Sequence, residues 1–382
     1  MLTLVYNKEQ IPDSETKSIF LAGPTSRSLN MTEWRTQALE ILQKLGYDGI
    51  VYIPQERSGS FDKSTLEKQI EWEYKCMCAC DAIIFWIPRE MREDFEMIGL
   101  TTNVEFGRFL NSNKLFCGAP KDAKKMDYLK IISKNKFNWH ESLEELIKSA
   151  VNYLGDGVYR EGIECLIPIH IFKSKQFQDW YQSHKKNRNK LTGFHSEYEF
   201  VMPKMKKLFL TIFKPDVWIK DENRIKNNEF VVARSNMSYI CAYHKNTDGQ
   251  TEVLLCDEFR TPVVNEESRI YELIGGSSFN PSNDELEVAC HEFEEETGVS
   301  ISKDRFKKID IKQSAGTLCS HQIALFAVEL SKEEIDNFRN DHNVHGVEED
   351  TERVHLHVIN LNDALKKVDW TNAGMILSTI CM

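Results

Sequence analysis

The chain has 382 residues, 41% of them hydrophobic and 28% charged, which is typical of a soluble globular protein with two or three domains. Its net charge of -11 argues against general affinity for nucleic-acid backbones, which needs a surplus of lysine and arginine. No apolar run approaches the roughly 20 residues that span a bilayer, and the first residues lack the long apolar centre of a signal peptide. We therefore predict a cytoplasmic protein that binds neither nucleic acid nor membranes.

Residues 1–155 alternate strand-like and helix-like patterns, which predicts an α/β domain. Ser142 is of a residue type that caps helices, and it precedes the last helical pattern of this segment. The predicted strands lie at 18–23, 49–54, 81–88 and 114–120, and the predicted helices at 32–47, 68–80, 101–113 and 142–155.

Glu105 lies near the predicted start of the helix that follows the strand at 81–88. There the partial positive charge of a helix N-terminus would keep its carboxylate ionised. An ionised carboxylate beside a sugar can attack the anomeric carbon and form a covalent glycosyl-enzyme. The alternative is a glutamate with only an electrostatic role at the helix start.

Four segments of this domain resemble the nucleoside 2-deoxyribosyltransferase family, in the order that the family shows. They are "IFLAGP", "CDAIIFWIPR", "TTNVEFGRF" and "CGAPKDAKKMDYL". The resemblance covers about residues 17–150. It implies a flavodoxin-like (Rossmann-like) parallel sheet, a homo-oligomer, and cleavage or exchange of the base of a nucleoside or nucleotide.

This resemblance assigns the nucleophile to Glu105 and a second catalytic position to Asp81, at the start of a strand. The predicted substrate-binding residues of the same domain are Gly23, Pro24 and Asn103.

One position departs from the family pattern. Better-known members carry an aspartate six residues before the nucleophile, where this chain has Gly99. Protonation of the leaving base is therefore unassigned. The candidates to assist are Glu71, Trp72 and Glu73.

Residues 156–228 do not continue the α/β pattern of residues 1–155. Lysine and aromatic residues interleave at 173–190. Such a pattern can contact nucleic acid. The alternative, an amphipathic connector with a solvated basic face, is favoured by the acidic net charge. We predict a connector, or the N-terminal part of the domain at residues 229–382.

From residue 229 onward the pattern is rich in strands, with helices predicted at 284–297 and 369–382. In the first of these helices, Glu292, Glu295 and Glu296 have the i, i+3, i+4 spacing that places side chains on one face. Three carboxylates on one face suit a hard divalent cation, which prefers oxygen ligands. The alternative is a solvated acidic face.

The sequence around this helix resembles the box of the Nudix hydrolases. Gly276 matches its opening glycine, and its end is matched by Glu292, Phe293, Glu295, Glu296, Gly298 and Val299. His291 stands where the family has arginine. The segment before His291 is one residue too long, which puts Asn283 at the place of the first glutamate and leaves Asp284 or Glu285 as substitutes.

Flanking segments resemble the ADP-ribose pyrophosphatase branch of that family, so that the similarity covers about residues 230–382. The resemblance implies a Nudix α/β/α sandwich that hydrolyses a nucleoside diphosphate-linked substrate with Mg2+ or Mn2+. The implied metal ligands are Glu272, Glu292, Glu295 and Glu296, with Glu296 also catalytic. The implied substrate residues are Arg260 and His321, and the candidates for the general base are Glu348, Glu349 and, third, Glu352.

Together the two resemblances predict a bifunctional nucleotide-processing enzyme with a small-molecule nucleotide substrate. NAD is one candidate, because loss of nicotinamide leaves ADP-ribose, and a modified or damaged nucleotide is another. The alternative for the second domain is a sensor that binds ADP-ribose or a nucleotide without turnover. The first domain could also be only a dimerisation and binding module.

Overall fold

The computed structural model describes residues 2–25, 34–57, 66–92, 95–134, 136–202, 207–277, 284–346 and 353–381. The chain divides into two compact units, Met1–Glu229 and Phe230–Met382. Within the described ranges, no helix combines the length and the apolar character that a membrane span requires.

The first unit begins with an alternation of strands and helices. Its strands are β1 (Thr3–Tyr6), β2 (Ser14–Glu15), β3 (Ser18–Ala22), β4 (Ile50–Ile53), β5 (Ala82–Trp86), β6 (Glu90–Arg92), β7 (Phe95–Met97), β8 (Leu115–Gly118), β9 (Trp139–His140), β10 (Arg160–Glu161), β11 (Lys190–Met202), β12 (Lys207–Ile219) and β13 (Arg224–Lys226). Its helices are α1 (Trp34–Lys44), α2 (Leu66–Ala79), α3 (Leu100–Phe109), α4 (Asp127–Ile132), α5 (Leu143–Leu154), α6 (Ile169–Phe172) and α7 (Lys175–Lys186).

Six of these strands form a parallel sheet in the order β1, β4, β3, β5, β8, β9. Without β1, the order along the chain is 2-1-3-4-5, one of the two common orders of doubly wound α/β sheets. The predicted α/β fold with a parallel sheet is therefore confirmed for this part of the chain. Ser142 accepts a hydrogen bond from the Glu145 N–H at the start of α5, as its residue type predicts.

Helices cover both faces of this sheet. Side chains alternate between the two faces along each strand, so each buried strand contributes to both layers. Ile19 and Leu21 of β3 pack with α1 and α5, whereas Phe20 and Ala22 pack with α2 and α3. All five residues of β3 and of β5 are buried, as expected for interior parallel strands.

Residues 156–226 add α6, α7 and a long hairpin of β11 and β12 to the first unit. The aromatic side chains of α7 pack inward. Phe177 is fully buried, and the rings of Trp180 and Phe213 lie 5.0 Å apart. The interleaving of lysine and aromatic residues thus produces an amphipathic helix.

The second unit is built on a mixed sheet of seven strands. They are β15 (Met237–Lys245), β16 (Thr251–Phe259), β17 (Arg269–Glu272), β18 (Ile274–Gly276), β19 (Lys307–Gln313), β20 (Gln322–Glu329) and β21 (His355–Asn360). The strand β14 (Val231–Arg234) precedes them in the chain and is not part of this sheet. Its helices are α8 (Glu285–Thr297), α9 (Lys332–Arg339), α10 (Leu361–Lys367) and α11 (Trp370–Ile380).

The sheet has the order β17, β16, β15, β20, β19, with β18 also paired to β15 and β21 to β16. Strands β15 and β20 are parallel, and the other pairs are antiparallel. Helices α8 and α9 pack on one face through Phe293 and Phe338, whereas α10 and α11 pack on the other through Ala364 and Ile376. The described elements therefore form helix, sheet and helix layers.

Candidate active sites

The first candidate site lies where β3 and β5 end. These neighbouring parallel strands flank the point at which the strand order reverses, and ligands of doubly wound folds bind outside the carboxyl ends of the strands there. We call residues 23–25, which follow β3, the Gly23 loop. A Cβ at Gly23 would lie 2.1 Å from the Trp86 carbonyl oxygen, and the residue has φ of 142°. Only glycine permits this close approach of the two strand ends.

Side chains from α1 hold the Gly23 loop in place. Trp34 Nε1 donates to the Pro24 carbonyl over 3.0 Å, and Arg35 Nη2 donates to the Gly23 carbonyl over 2.6 Å. Arg35 is buried, and its Nε also donates to the Leu21 carbonyl over 3.2 Å. These hydrogen bonds attach the loop to α1 and place the Arg35 guanidinium against its backbone.

Glu105 reaches the same region from α3. That helix starts after Gly99, and a Cβ at Gly99 would lie 3.1 Å from the Pro24 Cβ, so the helix begins beside the Gly23 loop. Glu105 is half-buried in the second turn of α3, and the Arg35 charge acts on its carboxylate. The structure thus places the predicted nucleophile on a helix that begins beside Pro24, within range of the Arg35 charge.

The protonation of Glu105 differs from expectation. Burial, followed by repulsion from Glu73, raises its pKa from 4.5 to about 7, against the opposing charge of Arg35. The expected stabilisation of the ionised form by the helix N-terminus is wrong, because α3 starts at Leu100 and Glu105 lies beyond its first turn, where the dipole effect has fallen off. Near neutral pH this carboxyl is therefore divided between its two forms.

Asn103, a predicted substrate residue, lies on α3 and accepts a hydrogen bond from Arg89. Arg89 is buried just after the carboxyl end of β5, and its Nη1 donates to the Lys125 carbonyl over 2.6 Å. Sequence reasoning missed Arg89 and Arg35. The signal for Arg89 was its place directly after the strand and Pro88. For Arg35 the sequence carried no signal, because an arginine within a helix is ordinarily exposed.

Asp81 is not brought together with Glu105. It immediately precedes β5 and is fully buried, whereas the Gly23 loop lies at the other end of the sheet, about 16 Å away along a strand of this length. Its carboxylate accepts from the Ser18 N–H over 2.9 Å and pairs with Arg160 at 2.5 Å. We therefore assign Asp81 to the interior packing of the sheet, and not to substrate.

Arg160 joins Asp81 to a second buried carboxylate. Its Nη2 also lies 3.0 Å from Glu15 Oε1, and both side chains are almost completely buried. Burial, followed by repulsion from Asp81, raises the pKa of Glu15 to about 7. These three side chains form the Arg160 cluster.

Residues 16–123 match the protein family described as nucleoside 2-deoxyribosyltransferase like. The matched residues include the Gly23 loop and Glu105, and they confirm the predicted domain of that kind in the first unit. They make up less than a third of the chain. No curated protein matches the chain. The Nudix resemblance of the second unit therefore stays a prediction.

A second candidate site lies outside the transferase-like domain, where β18 meets α8. A Cβ at Gly276 would lie 2.6 Å from a Glu292 carboxylate oxygen, and the Gly275 N–H donates to Glu296 Oε2 over 3.2 Å. Gly298 ends the helix in a left-handed conformation with φ of 69°, as its position predicts. The glycine pair thus lies against the glutamates of α8.

Two further predicted residues lie nearby. Glu272 is paired with Cys256 across β16 and β17, and Arg260 Nε donates to Glu272 over 2.9 Å. Cys256 Sγ donates to Glu296 Oε2 over 3.2 Å. Burial, then the charges of Glu296, Glu272 and Glu258, raises the pKa of the Cys256 thiol, so these carboxylates share one neighbourhood.

Two further predicted residues of this site, His291 and His321, lie in the described part of the chain. His291 is 78% exposed in its side chain, with Nδ1 3.1 Å from Glu295 Oε2. His321 is buried, with Nε2 3.2 Å from Ser314 Oγ, and burial followed by the Arg234 charge lowers its pKa. The positions outside the described residues are Asn283, Glu348, Glu349 and Glu352.

The donor chemistry of this site fits a hard cation, because carboxylate oxygens of Glu292 and Glu296 lie against the glycine pair and Glu272 lies across from Cys256 on the neighbouring strand. The charges of Glu272 and Glu296 both act on Cys256. Among the described residues, however, no three His, Cys, Asp or Glu side chains lie close enough together to hold a metal ion. Binding of Mg2+ or Mn2+ by these glutamates is therefore a proposal.

Proposed function

We propose that the first unit breaks or exchanges the N-glycosidic bond of a nucleoside or nucleotide, with Glu105 as nucleophile. The observation that carries this proposal is that Glu105 lies on the helix that begins beside Pro24, within range of the charge of Arg35, which bonds the Gly23 loop at the carboxyl ends of the parallel strands. The family match of residues 16–123 supports it.

The chemistry follows from this placement. Ionised Glu105 attacks the anomeric carbon, the base departs, and water or a second base then attacks the glycosyl-enzyme. Burial destabilises the charge of Glu105 and so favours its neutralisation by bond formation. Arg35 opposes full protonation and preserves a reactive fraction near neutral pH.

Incubation with a panel of nucleosides, nucleotides and NAD, followed by chromatography of free bases, tests this proposal. Wild-type protein is expected to release or exchange a base from one substrate class. If no member of the panel yields more free base with the wild type than with Glu105→Ala, the first unit is only a binding or dimerisation module.

We propose a second activity for the second unit: metal-dependent hydrolysis of a nucleoside diphosphate-linked substrate such as ADP-ribose. The specific observation in its favour is that Gly275 and Gly276 lie directly against Glu292 and Glu296, beside the pair of Arg260 and Glu272. The resemblance to the Nudix box, which implies that these glutamates are metal ligands, supports the same proposal.

Glu272, Glu292, Glu295 and Glu296 would hold the ion. When bound, Mg2+ or Mn2+ would neutralise phosphoryl oxygens and acidify water. Arg260 forms ion pairs with Glu258 and Glu272, and its side chain is 38% exposed. It can therefore pair with a diphosphate while these ion pairs hold its position. The general base is expected among Glu348 and Glu349.

Glu296→Gln is expected to abolish magnesium-dependent hydrolysis of ADP-ribose, because it removes a charged ligand and keeps the shape that accepts the Gly275 N–H. Glu295→Gln is expected to do the same. Phosphate release coupled to a phosphatase measures the rate. Glu294→Gln, an exposed residue of the same helix, is the matched control. Full activity of both variants would exclude the assignment, and ligand binding without turnover by the wild type would make this unit a sensor.

The two activities could act in succession on one small molecule. A substrate such as NAD would lose its base at the first site and present ADP-ribose to the second. We propose a homo-oligomer that acts on small-molecule nucleotides.

A further inference from the structure

The Arg160 cluster holds residues 158–169, which we call the β10 segment, against the parallel sheet. The strand β10 is only two residues long, and in its pairing with β2 the residue Arg160 lies directly opposite Glu15. Farther along the segment, the Ile169 N–H donates to Asp81 Oδ1 over 3.1 Å. Because so few backbone pairs hold this segment, the buried side chains of the cluster carry much of its attachment.

The two carboxyls of the cluster share a single guanidinium nitrogen. The Arg160 Nη2 lies 2.5 Å from Asp81 Oδ2 and 3.0 Å from Glu15 Oε1. The two carboxyl oxygens are therefore no farther apart than these two distances added together, and all three side chains are at most 2% exposed. Two carboxyls this close in the protein interior resist simultaneous ionisation, since one cation does not offset two buried negative charges.

Glu15 is the member of the pair that takes up a proton. Asp81 accepts hydrogen bonds from the Ser18 and Ile169 N–H groups in addition to its contact with the guanidinium. Such donors stabilise the ionised form of a carboxyl. Burial, followed by repulsion from Asp81, raises the pKa of Glu15 to about 7, against the attraction of Arg160. The cluster therefore contains one ionised carboxylate and one carboxyl that titrates near neutral pH.

Thiols and phenols surround Glu15 but do not titrate with it. Burial raises the pKa of Cys165 to about 11 and that of Cys80 to about 12. The other neighbours whose charges act together with that of Glu15 are Cys76, Tyr47 and Tyr52, whose pKa values burial also raises, and Lys114, which donates to three carbonyls at the end of α2. A change of charge near pH 7 in this part of the molecule therefore belongs to the two carboxyls of the cluster.

We propose that the Arg160 cluster is a proton-operated latch, which keeps the β10 segment attached to the sheet while the cluster holds a proton and lets it detach once that proton is lost. The proton passes from Glu15 to the solvent, and a second negative charge then lies buried beside Asp81. In the detached state Glu15 is hydrated, so its charge costs nothing there. The latch lies at the amino ends of the strands, away from the Gly23 loop, and does not require either proposed activity.

A rise in pH weakens the latch. The pKa of Glu15 is about 7 in the attached state and 4.5 in an exposed glutamate, so the attached state binds more protons than the detached state. The contribution of Glu15 to attachment is therefore full below pH 4.5, falls between pH 4.5 and about 7, and is constant at higher pH. Between about pH 5 and pH 8, we expect the equilibrium constant for detachment to rise roughly 10- to 100-fold.

Hydrogen exchange at the β10 segment measures this equilibrium. The amides of the segment that report detachment are those of Val158, Gly162 and Ile169, which donate to Thr16, Asp13 and Asp81. After correction for the intrinsic effect of pH on exchange, their protection in the wild type is expected to fall roughly 10- to 100-fold from about pH 5 to pH 8. In Glu15→Gln, which is neutral at every pH, their protection is expected to stay constant.

Glu105→Gln is the matched control. It removes another buried carboxyl with a pKa of about 7, but at the opposite end of the sheet, so the fall in protection of the β10 segment is expected to remain. Constant protection in the wild type, an equal fall in Glu15→Gln, or loss of the fall in Glu105→Gln would each overturn the latch. If Glu15→Gln does not fold, the wild type decides: the β10 segment loses more protection with pH than α5, and an equal loss in both would contradict the latch.

Discussion

Glu105→Ala is expected to lower the rate of base release by about 1000-fold or more, because loss of a catalytic nucleophile removes the covalent route itself. The rate is measured by chromatography of the free base on the best substrate of the panel. Glu105→Gln is expected to be equally inactive, since an amide keeps the shape and lacks the nucleophilic charge.

The folded state of these variants is expected to be intact. The ionised form of Glu105 is disfavoured by folding, because its pKa is higher in the folded protein than in the unfolded chain. That penalty is small below pH 4.5, grows between pH 4.5 and about 7, and stays constant at higher pH. Glu105→Gln should therefore unfold at a temperature equal to or above that of the wild type at pH 8. An active Glu105→Gln, or one that is inactive because it is unfolded, would remove the support for a nucleophile at this position.

Arg160→Leu is expected to destabilise the first unit by roughly 3–5 kcal/mol, because it leaves two buried carboxylates without their cation. Arg160 is fully buried between Glu15 and Asp81, and its Nη1 donates to the Ile167 carbonyl over 2.8 Å. For a unit of this size the change corresponds to a fall of roughly 6–20 °C in melting temperature, which calorimetry measures.

Arg224→Leu is the matched control, because Arg224 forms an exposed pair with Glu222 and is expected to contribute no more than about 1 kcal/mol. Below its transition, Arg160→Leu should retain base release, since the Arg160 cluster lies at the amino end of β5 and the Gly23 loop at the carboxyl end. An unchanged melting temperature would contradict the stabilising role of Arg160. Loss of base release in the folded variant would contradict the separation of the Arg160 cluster from the Gly23 loop.

The sequence was sufficient to predict the elements whose side chains repeat with a clear period. The buried runs that became β3, β5 and β8 could be recognised because interior parallel strands are apolar throughout. The helix α8 could be recognised from the spacing of its glutamates and its glycine stop. The place of Glu105 on a helix that follows β5 in the chain came from the same alternation.

The electrostatics of the site could not be predicted in the same way. The repulsion between Glu73 and Glu105 arises from the packing of α2 on α3, which joins residues far apart in the chain. The placement of Arg35 behind the Gly23 loop likewise depends on how α1 lies on the sheet. The burial of Asp81 at the amino end of β5 could not be predicted for a related reason, because a residue type at a strand start does not show which end of the sheet carries the site.

The most direct test of the central claim is to trap the glycosyl-enzyme. A 2-deoxy-2-fluoro analogue of the cleaved nucleoside should slow the second step of a covalent mechanism more than the first, so that the sugar remains attached. Mass spectrometry of the digested protein is expected to find one added sugar on the peptide that contains Glu105, and none in Glu105→Gln. A sugar attached to a different residue, or full turnover of the unmodified substrate by Glu105→Gln, would contradict the account.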